Sequence, residues 1–238
     1  MKLSIIIPVF NEEKTVVQVI KQVSQVKITG AKIEVIIIND ASTDKTAKKL
    51  QDSKGIYPNL KVITHAINMG KGAAVRTGFE KATGEYLVIQ DADLEYDPIF
   101  IPQLFEPILA KEAEVVYGTR LKRLPHPQKE ESTPRFFLHF FGNRFLSLIT
   151  SILYGQWITD METCYKIFPK AFVEKTTLLG SGFNFEPEIT AKLIKSGYRI
   201  KEVPITTKPR GYKEGKKLQT FPEGFKALWT LIKFRFVD

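Results

Sequence analysis

A doubly wound, mainly parallel α/β sheet is the fold that the sequence predicts, and three observations predict it. Short apolar runs alternate with segments of helical spacing from Leu3 to Gln90, the βαβαβαβ order that right-handed crossovers turn into a parallel sheet. The run Tyr86-Leu87-Val88-Ile89-Gln90 is typical in being apolar without alternation, as a strand buried on both faces requires. Polar residues close the runs at Pro8-Val9-Phe10-Asn11-Glu12, at Asn39-Asp40 and at Asp91-Ala92-Asp93, and ligands of open α/β sheets bind beyond the carboxyl ends of the strands.

Leu3 to Val9 is the first strand candidate. Glu12 to Val26 follows as a helix, with Val16, Val19, Ile20 and Val23 on one face. Ile33 to Ile38 is the second buried strand. Ser42 or Thr43 is suited to cap the next helix, which is expected to run to about Asp52. Leu60 to Thr64 reads as the third strand, Asn68-Met69-Gly70-Lys71-Gly72 as a loop, the segment to Ala82 as a helix, and Tyr86 to Gln90 as the fourth strand.

The second half changes character. Val115 to Thr119 is a further strand candidate, followed by Arg120. Leu121 to Thr133 is rich in charge and proline and reads as a mobile loop. Pro134 to Trp157 is a strongly apolar helix candidate with two faces. Phe136, Phe137, Phe140, Phe141, Phe145, Leu148, Ile149, Ile152 and Leu153 form a broad one, and His139, Asn143, Ser147, Thr150 and Ser151 a narrow polar one. In the last segment Phe221, Phe225, Leu228, Trp229, Ile232 and Phe236 share a side, away from Lys226 and Lys233. One catalytic domain over 1–217, including the 134–157 helix, and an amphipathic C-terminal helix over 218–238 are expected.

Composition sets the outer bounds. The 238 residues are 43% hydrophobic and 26% charged, ordinary for a globular chain with a packed core. Net charge is +9, and Arg199 to Asp238 holds ten Lys/Arg against four Asp/Glu, which suits a phosphorylated substrate or an anionic lipid surface. Nucleic acid is not an expected partner, because the basic segment carries no RNP, helix-turn-helix or zinc signature. The one cysteine, Cys164, excludes an intrachain disulfide and fits a reducing compartment. Neither a signal-peptide pattern nor an uninterrupted apolar run of membrane-spanning length is present.

Two carboxylates leaving one strand end together, Asp91 and Asp93, suit a hard cation such as Mg²⁺ or Mn²⁺ that is itself bound to a diphosphate. Carboxylates also accept from a base imide and from ribose hydroxyls. In sum, the three polar strand ends point to a nucleotide bound with a metal.

The ordered motifs resemble those of the family 2 glycosyltransferases with a GT-A fold. The matching residues are Ile-Ile-Ile-Pro-Val-Phe-Asn-Glu-Glu at 5–13, Asn39 to Thr46, Asn68-Met69-Gly70-Lys71-Gly72, Gln90-Asp91-Ala92-Asp93-Leu94-Glu95 and Tyr117-Gly118-Thr119-Arg120. Further along stand Asp160-Met161-Glu162-Thr163-Cys164-Tyr165-Lys166, Gly182-Phe183-Asn184-Phe185-Glu186 and Glu202-Val203-Pro204-Ile205. Arg210 to Lys217 looks like the basic loop of polyprenyl-phosphate sugar synthases, the subgroup of dolichyl-phosphate mannose and glucose synthases. The resemblance runs to about residue 217.

It implies an inverting, metal-dependent hexosyl transfer from a UDP-sugar or GDP-sugar to a polyprenyl phosphate. Pro8, Phe10 and Glu12 are then expected to line the nucleotide pocket, with Asp40 near the base or ribose. Asp91 and Ala92 belong against ribose and diphosphate, Asp93 on Mg²⁺ or Mn²⁺, and Glu95 beside it as a second ligand. Lys71 and Arg76 are candidate donor contacts, and Arg120 is placed toward the sugar or the acceptor phosphate. Asp160 is assigned to orienting groups at the reaction centre, with base catalysis as the second option and Glu162 as its rival. A phosphate monoester acceptor is already anionic and needs positioning more than deprotonation. Arg210 and Lys216 or Lys217 flank glycines that let a basic loop close over the phosphates.

The loop at 68–72 points toward a glucose-type synthase, with mannose the alternative. The expected location is the cytoplasmic face of a membrane, held peripherally by the two aromatic helices, with a separate membrane subunit or a second copy of the chain as possible companions. A family 2 transferase with a soluble or polysaccharide acceptor, and a non-catalytic nucleotide-sugar-binding membrane scaffold, are the competing readings.

Overall fold

The computed structural model describes residues 1–57, 60–121, 134–182, 184–208 and 220–237, without the side chains of 134–136, 139 and 220–223. A seven-stranded sheet forms its centre. In chain order the strands are β1 (Lys2–Val9), β2 (Lys32–Asn39), β3 (Leu60–Thr64), β4 (Tyr86–Ile89), β5 (Val115–Thr119), β6 (Lys166–Pro169) and β7 (Ile200–Pro204). Their spatial order is β3-β2-β1-β4-β6-β5-β7. The first four are mutually parallel, β5 and β7 are parallel, and β6 runs antiparallel to both β4 and β5. The helices are α1 (Val16–Ser24), α2 (Thr46–Ile56), α3 (Lys71–Lys81), α4 (Ile101–Leu109), α5 (Pro134–Tyr154), α6 (Lys170–Lys175), α7 (Phe185–Lys195) and α8 (Thr220–Phe236).

The apolar strand runs form as expected, because both faces of β1 and β4 are covered: Leu3, Ile5, Ile6, Ile7, Leu87, Val88 and Ile89 are fully buried. Register fixes what happens at the carboxyl edge. Val9 pairs with Asn39, which pairs with Thr64, so β1, β2 and β3 end level. Ile89 pairs with Ile6, and the Gln90 amide still donates to the Ile6 carbonyl. Asp91 therefore leaves the sheet beside the last residues of β1.

Three expectations about local structure are corrected. The first helix starts at Val16, not Glu12, because Glu12 is held in the turn: its amide donates to Thr46 Oγ1 and its carbonyl accepts from Thr15 and Val16. Neither Ser42 nor Thr43 caps α2. Ser42 Oγ accepts from the Asn11 amide, the Thr43 amide donates to Asn11 Oδ1, and the helix begins later, at Thr46, whose amide is received by Asp44. These residues stitch the end of β1 to the end of β2 instead. The 121–133 loop falls, from 122 onward, outside the described residues.

The third correction concerns the aromatic helix, which ends at Tyr154. Its narrow polar stripe faces the protein. Ser147, Thr150 and Ser151 are buried: the Met161 amide donates to Ser147 Oγ and the Ile158 amide to Ser151 Oγ. Phe140 and Leu146 are buried beside them, while Phe137, Phe141, Phe145, Leu148 and Ile152 face outward. Helix α8 packs on α5 and α7 through Ala227, Leu231 and Phe234, and Tyr154 donates its hydroxyl to the Leu231 carbonyl. Its other side leaves Phe225, Trp229 and Phe236 exposed by 71%, 67% and 80%. Small hydroxyl side chains go inward because they let the backbone approach closely while the buried amides of 158–161 need acceptors.

Helix α3 is fixed by close backbone contact. The Gly72 amide donates to the Ser181 carbonyl, and a Cβ at Gly72 would lie 2.0 Å from the Gly180 carbonyl oxygen. The Gly180 backbone is itself pinned by Glu188, so it has little room to retreat. Gly72→Ala is therefore expected to destabilise the protein by about 2 kcal/mol or more, lowering the unfolding midpoint by about 4–8 °C in a thermal melt followed by circular dichroism.

Candidate active site

Four strand ends and two helix starts build the site at the carboxyl edge of the sheet. The Asp40 carboxylate, just past β2, is almost wholly enclosed: Oδ1 accepts from the Met69 amide at 2.9 Å and faces His65 Nδ1 at 2.7 Å, and Oδ2 accepts from the Gly70 amide at 2.8 Å. It fixes the turn that enters α3, at Met69 and the N-cap Gly70, and places negative charge near the positive end of that helix. His65 Nε2 meets Thr77 Oγ1 on the same helix. Asp40, expected near the base or ribose, is thus engaged by the protein itself.

The start of α3 carries Lys71. Its Nζ lies 2.8 Å from Asp91 Oδ1 and 3.6 Å from Glu186 Oε1. Burial alone would raise the Asp91 carboxyl, but Lys71 overrides it and holds the group below the ordinary carboxylate range. Burial likewise works against the Lys71 charge, and Asp91 more than restores it. Arg76, a candidate donor contact, instead donates to the Gly180 carbonyl and ties α3 to the segment before α7.

Beyond β4, Ala92 is buried and Asp93 and Glu95 are partly exposed. Asp93 Oδ1 accepts from the Glu95 amide at 3.0 Å, and Leu94 between them sits at φ +65°. Asn11 and Ala41, at the ends of β1 and β2, have φ of +53° and +56°. So three of the four non-glycine residues with positive φ among the described residues lie at this edge, a conformation that costs on the order of 1 kcal/mol each and collects at functional sites. Pro8, Phe10 and Glu12 line the same edge half-buried, the Glu12 carboxylate accepting from Thr15 Oγ1.

Asp93 and Glu95 fit a hard divalent cation. Both offer carboxylate oxygen at the surface, on a sharp turn. Among the described residues no group of three His, Cys, Asp or Glu stands ready to enclose a metal. Mg²⁺ and Mn²⁺ are commonly held by one or two carboxylates, the remaining positions going to water and substrate phosphate.

The other side of the site is built from the end of β5 and the segment before β6. Arg120 clasps Asp160 as a two-pronged fork, Nε to Oδ2 and Nη2 to Oδ1, both at 2.7 Å, and the Arg120 amide adds a third bond to Oδ2. The Asp160 side chain is fully buried, whereas that of Arg120 remains 22% exposed. Glu202 on β7 accepts from the Thr159 and Asp160 amides. Arg120 also lies over the Tyr96 ring, 5.7 Å from its centre. Burial opposes the guanidinium charge, and Asp160 outweighs it. Both Asp160 oxygens are thus engaged by Arg120, which holds the guanidinium in place.

Sequence reasoning assigned no role to Lys166 and Glu186, which join the two sides. Lys166, fully buried, donates to the Thr163 carbonyl and to Glu186 Oε2 at 2.5 Å, and lies 5.0 Å from the centre of the Tyr117 ring. Glu162, the rival to Asp160, pairs with neither Lys166 nor Arg144 by hydrogen bond; Arg144 donates to the Leu121 carbonyl. Burial, aided by Glu186 and opposed by Lys166 and Arg120, pushes the Glu162 carboxyl up to about 7. The signal for these residues was their place in the quoted motifs at 160–166 and 182–186. Arg210, Lys216 and Lys217 lie outside the described residues, as does Phe183.

Residues 4–176 match the family described as "Glycosyl transferase family 2". The chain is 31% identical to the dolichol-phosphate mannosyltransferase of Pyrococcus furiosus over 98% of its own length and 64% of that protein. It is 28% identical to the low-salt glycan biosynthesis hexosyltransferase Agl6 of Haloferax volcanii over 99% of its length and 53% of that protein. The chain thus spans between half and two thirds of these relatives. Among solved structures, glucosyl-3-phosphoglycerate synthase of Mycobacterium tuberculosis, in complex with Mn²⁺, UDP and glucosyl-3-phosphoglycerate, superposes with a TM-score of 0.72 at 18% identity, covering all of this chain and 81% of the other. That likeness is one of fold, the GT-A arrangement.

Two outcomes are expected. Asp160→Asn leaves the Arg120 charge without its partner, and denaturant unfolding should show a loss of about 3 kcal/mol. Glu162 binds its proton more tightly in the folded protein than in the unfolded chain, so its contribution is greatest at low pH and is lost as pH rises from 4.5 to about 7. The unfolding midpoint of Glu162→Gln, measured across that window, should fall less with rising pH than that of the unsubstituted protein.

Proposed function

Because the chain belongs to glycosyl transferase family 2, we propose that it is an inverting, metal-dependent enzyme that moves a hexose from a nucleoside-diphosphate sugar to a polyprenyl phosphate. The observation that carries this reading is the Arg120–Asp160 fork. It holds a partly exposed guanidinium rigidly at the site, and a guanidinium is the side chain best suited to receive a phosphate. No nucleophile with an adjacent base is needed, since the acceptor brings its own anionic oxygen. That oxygen attacks the anomeric carbon, the bond to the diphosphate breaks, and the nucleoside diphosphate leaves with the electron pair.

In this reading Asp160 and Glu202 keep Arg120 in place, and Lys71 offsets Asp91 next to the diphosphate. Asp93 and Glu95 would hold Mg²⁺ or Mn²⁺, whose contribution is Lewis-acid neutralisation of the departing diphosphate. Arg210 and Lys216 are assigned to the same phosphates. Glucose and mannose both remain within the reading, as do UDP and GDP.

The outward aromatic faces of α5 and α8 support a lipid acceptor. Phe141, Phe145, Ile152, Phe225 and Trp229 are exposed on two helices that pack together, a pattern suited to the headgroup boundary of a bilayer. Among the described residues no helix is long and apolar enough to cross a membrane, so contact through these faces would be peripheral.

Transfer of radiolabelled sugar from UDP- and GDP-hexoses to a short polyprenyl phosphate in detergent, with Mn²⁺, tests the function. Label should enter the lipid phase, vanish with chelator and fall by about a hundredfold or more in Asp93→Ala. Label recovered only in water-soluble products would contradict the lipid acceptor. In a separate test, replacing Phe141, Phe145 and Trp229 together by Ser should weaken co-sedimentation with anionic vesicles by about tenfold or more while leaving the thermal midpoint unchanged.

A further inference from the structure

Helices α5, α7 and α8 end at one place. Tyr154, Lys195 and Arg235, from the last turn of each, line a groove of about 540 Å³, within the size range of small-molecule sites. Leu153 and Ile194, half-buried, and the exposed Ile152 give it apolar walls. Its charged lining residues are both cations, Lys195 and Arg235, and both are exposed. Gly155 turns the chain out of α5 at φ +70°, and a Cβ there would meet nothing within 4 Å. The groove is not at the catalytic edge. Lys195 lies nine residues beyond Glu186 on α7, about 14 Å along the helix. Gln156, next in the chain to Gly155, donates to the carbonyl of Ile200, which opens β7 at the opposite end from Pro204.

Charge and wall together narrow the kind of ligand. A helix C-terminus carries about half a negative charge, so three such ends bring about −1.5. Lys195 and Arg235 bring a full positive charge each, and Lys233 adds another in the last turn of α8. The cations outweigh the helix ends they adjoin. Burial pushes the Tyr154 phenol up to about 12, against the pull of Arg235, so Tyr154 is neutral and adds no negative charge. An anion is therefore favoured. Ile152 belongs to the groove and also to the outward apolar face of α5, and Phe236, next to Arg235, belongs to that of α8. An inorganic anion gains nothing from such walls, whereas a phosphate esterified to apolar chains does.

We propose that the groove binds the headgroup of an anionic membrane phospholipid, its phosphate between Lys195 and Arg235 and its acyl chains along Ile152 and the outward face of α5. This lipid is an anchor set apart from the transfer centre, not the substrate. Both cations have long apolar stems that can lie on the groove walls while the charged heads reach the phosphate, and Arg235 offers a planar fork that matches it. This rests on the peripheral-membrane reading above and adds one discrete site to it. A diffuse basic surface would attract anionic lipid through exposed cations such as Lys226 as well; the groove draws on two particular residues.

The test is a titration of isotope-labelled protein, followed by amide nuclear magnetic resonance, with dihexanoyl phosphatidylglycerol below its micelle concentration, so that no lipid surface is present. The Gly155 and Lys195 amide signals should shift and saturate. Dihexanoyl phosphatidylcholine and inorganic phosphate should each bind about tenfold more weakly or less. Lys195→Gln combined with Arg235→Gln should raise the midpoint about tenfold or more. Lys21→Gln combined with Lys226→Gln makes the same charge change on exposed residues away from the groove, and should shift the midpoint by no more than about twofold. Thermal midpoints matching that of the unsubstituted protein check that both variants fold. Shifts confined to other parts of the protein, equal binding of inorganic phosphate, or equal loss in the two double variants would overturn the site. Failure of the membrane reading itself would show separately, as vesicle co-sedimentation unchanged when Phe141, Phe145 and Trp229 are replaced.

Discussion

Everything at the carboxyl edge depends on where α3 begins, and Asp40 decides that. Just ahead of the helix, Asp40 accepts from the Met69 and Gly70 amides, which fixes the entering turn and sets a carboxylate near the positive dipole end. Gly70, at φ +87°, turns the chain into the helix in a conformation that favours glycine. Lys71 is then the first helical residue, set against Asp91 from β4 and within reach of Glu186 from α7. Gly72 lets the segment at 180–181 lie against the helix backbone. A displaced α3 would separate Lys71 from two carboxylates and unseat α7 as well.

The site is costly to assemble, and the way its costs are offset explains its architecture. Non-glycine residues in left-handed conformations end β1 and β2 and divide Asp93 from Glu95. Carboxylates are drawn from water at Asp40, Asp91, Asp160, Glu186 and Glu188. Each meets cations or backbone amides: Asp160 has Arg120, Glu186 has Lys166 and Lys71, and Glu188 receives Leu179 and Gly180 amides as well as Lys192. Buried pairs of this kind add little net stability, but removing one member is severe. Their effect is positional: they fix Arg120, Lys71 and the starts of α3 and α7 relative to the sheet edge.

β1 and β4 were legible in the sequence because they are apolar and buried on both faces, and β3 and β5 emerge with the bounds read from their runs, although β3 is a half-exposed edge strand. β6 and β7 were not legible as strands. β6 is four residues long and opens with Lys166, and β7 carries Lys201 and Glu202; only tertiary pairing makes them strands. The capping role given to Ser42 and Thr43 was a local reading that lost to a longer-range demand, the lacing of β1 to β2 through Asn11. On the aromatic helix the outward apolar face was legible, but Phe140 turns inward and the helix ends at Tyr154 instead of Trp157. The strand-end carboxylates could be found because motif and topology agree there. Lys166, Glu186 and Glu202 could not be ranked, since their significance lies in what they touch across the sheet.

A site so fully braced by its own residues should be formed before any ligand arrives, and amide hydrogen exchange at Met69 and Gly70 tests this most directly. Both amides are bonded to Asp40 in the free protein, so both should exchange slowly without ligand, and adding UDP with Mn²⁺ should change their rates little. Fast exchange in the free protein, slowed only by nucleotide, would mean that α3 is set by the ligand and that the edge is not preorganised.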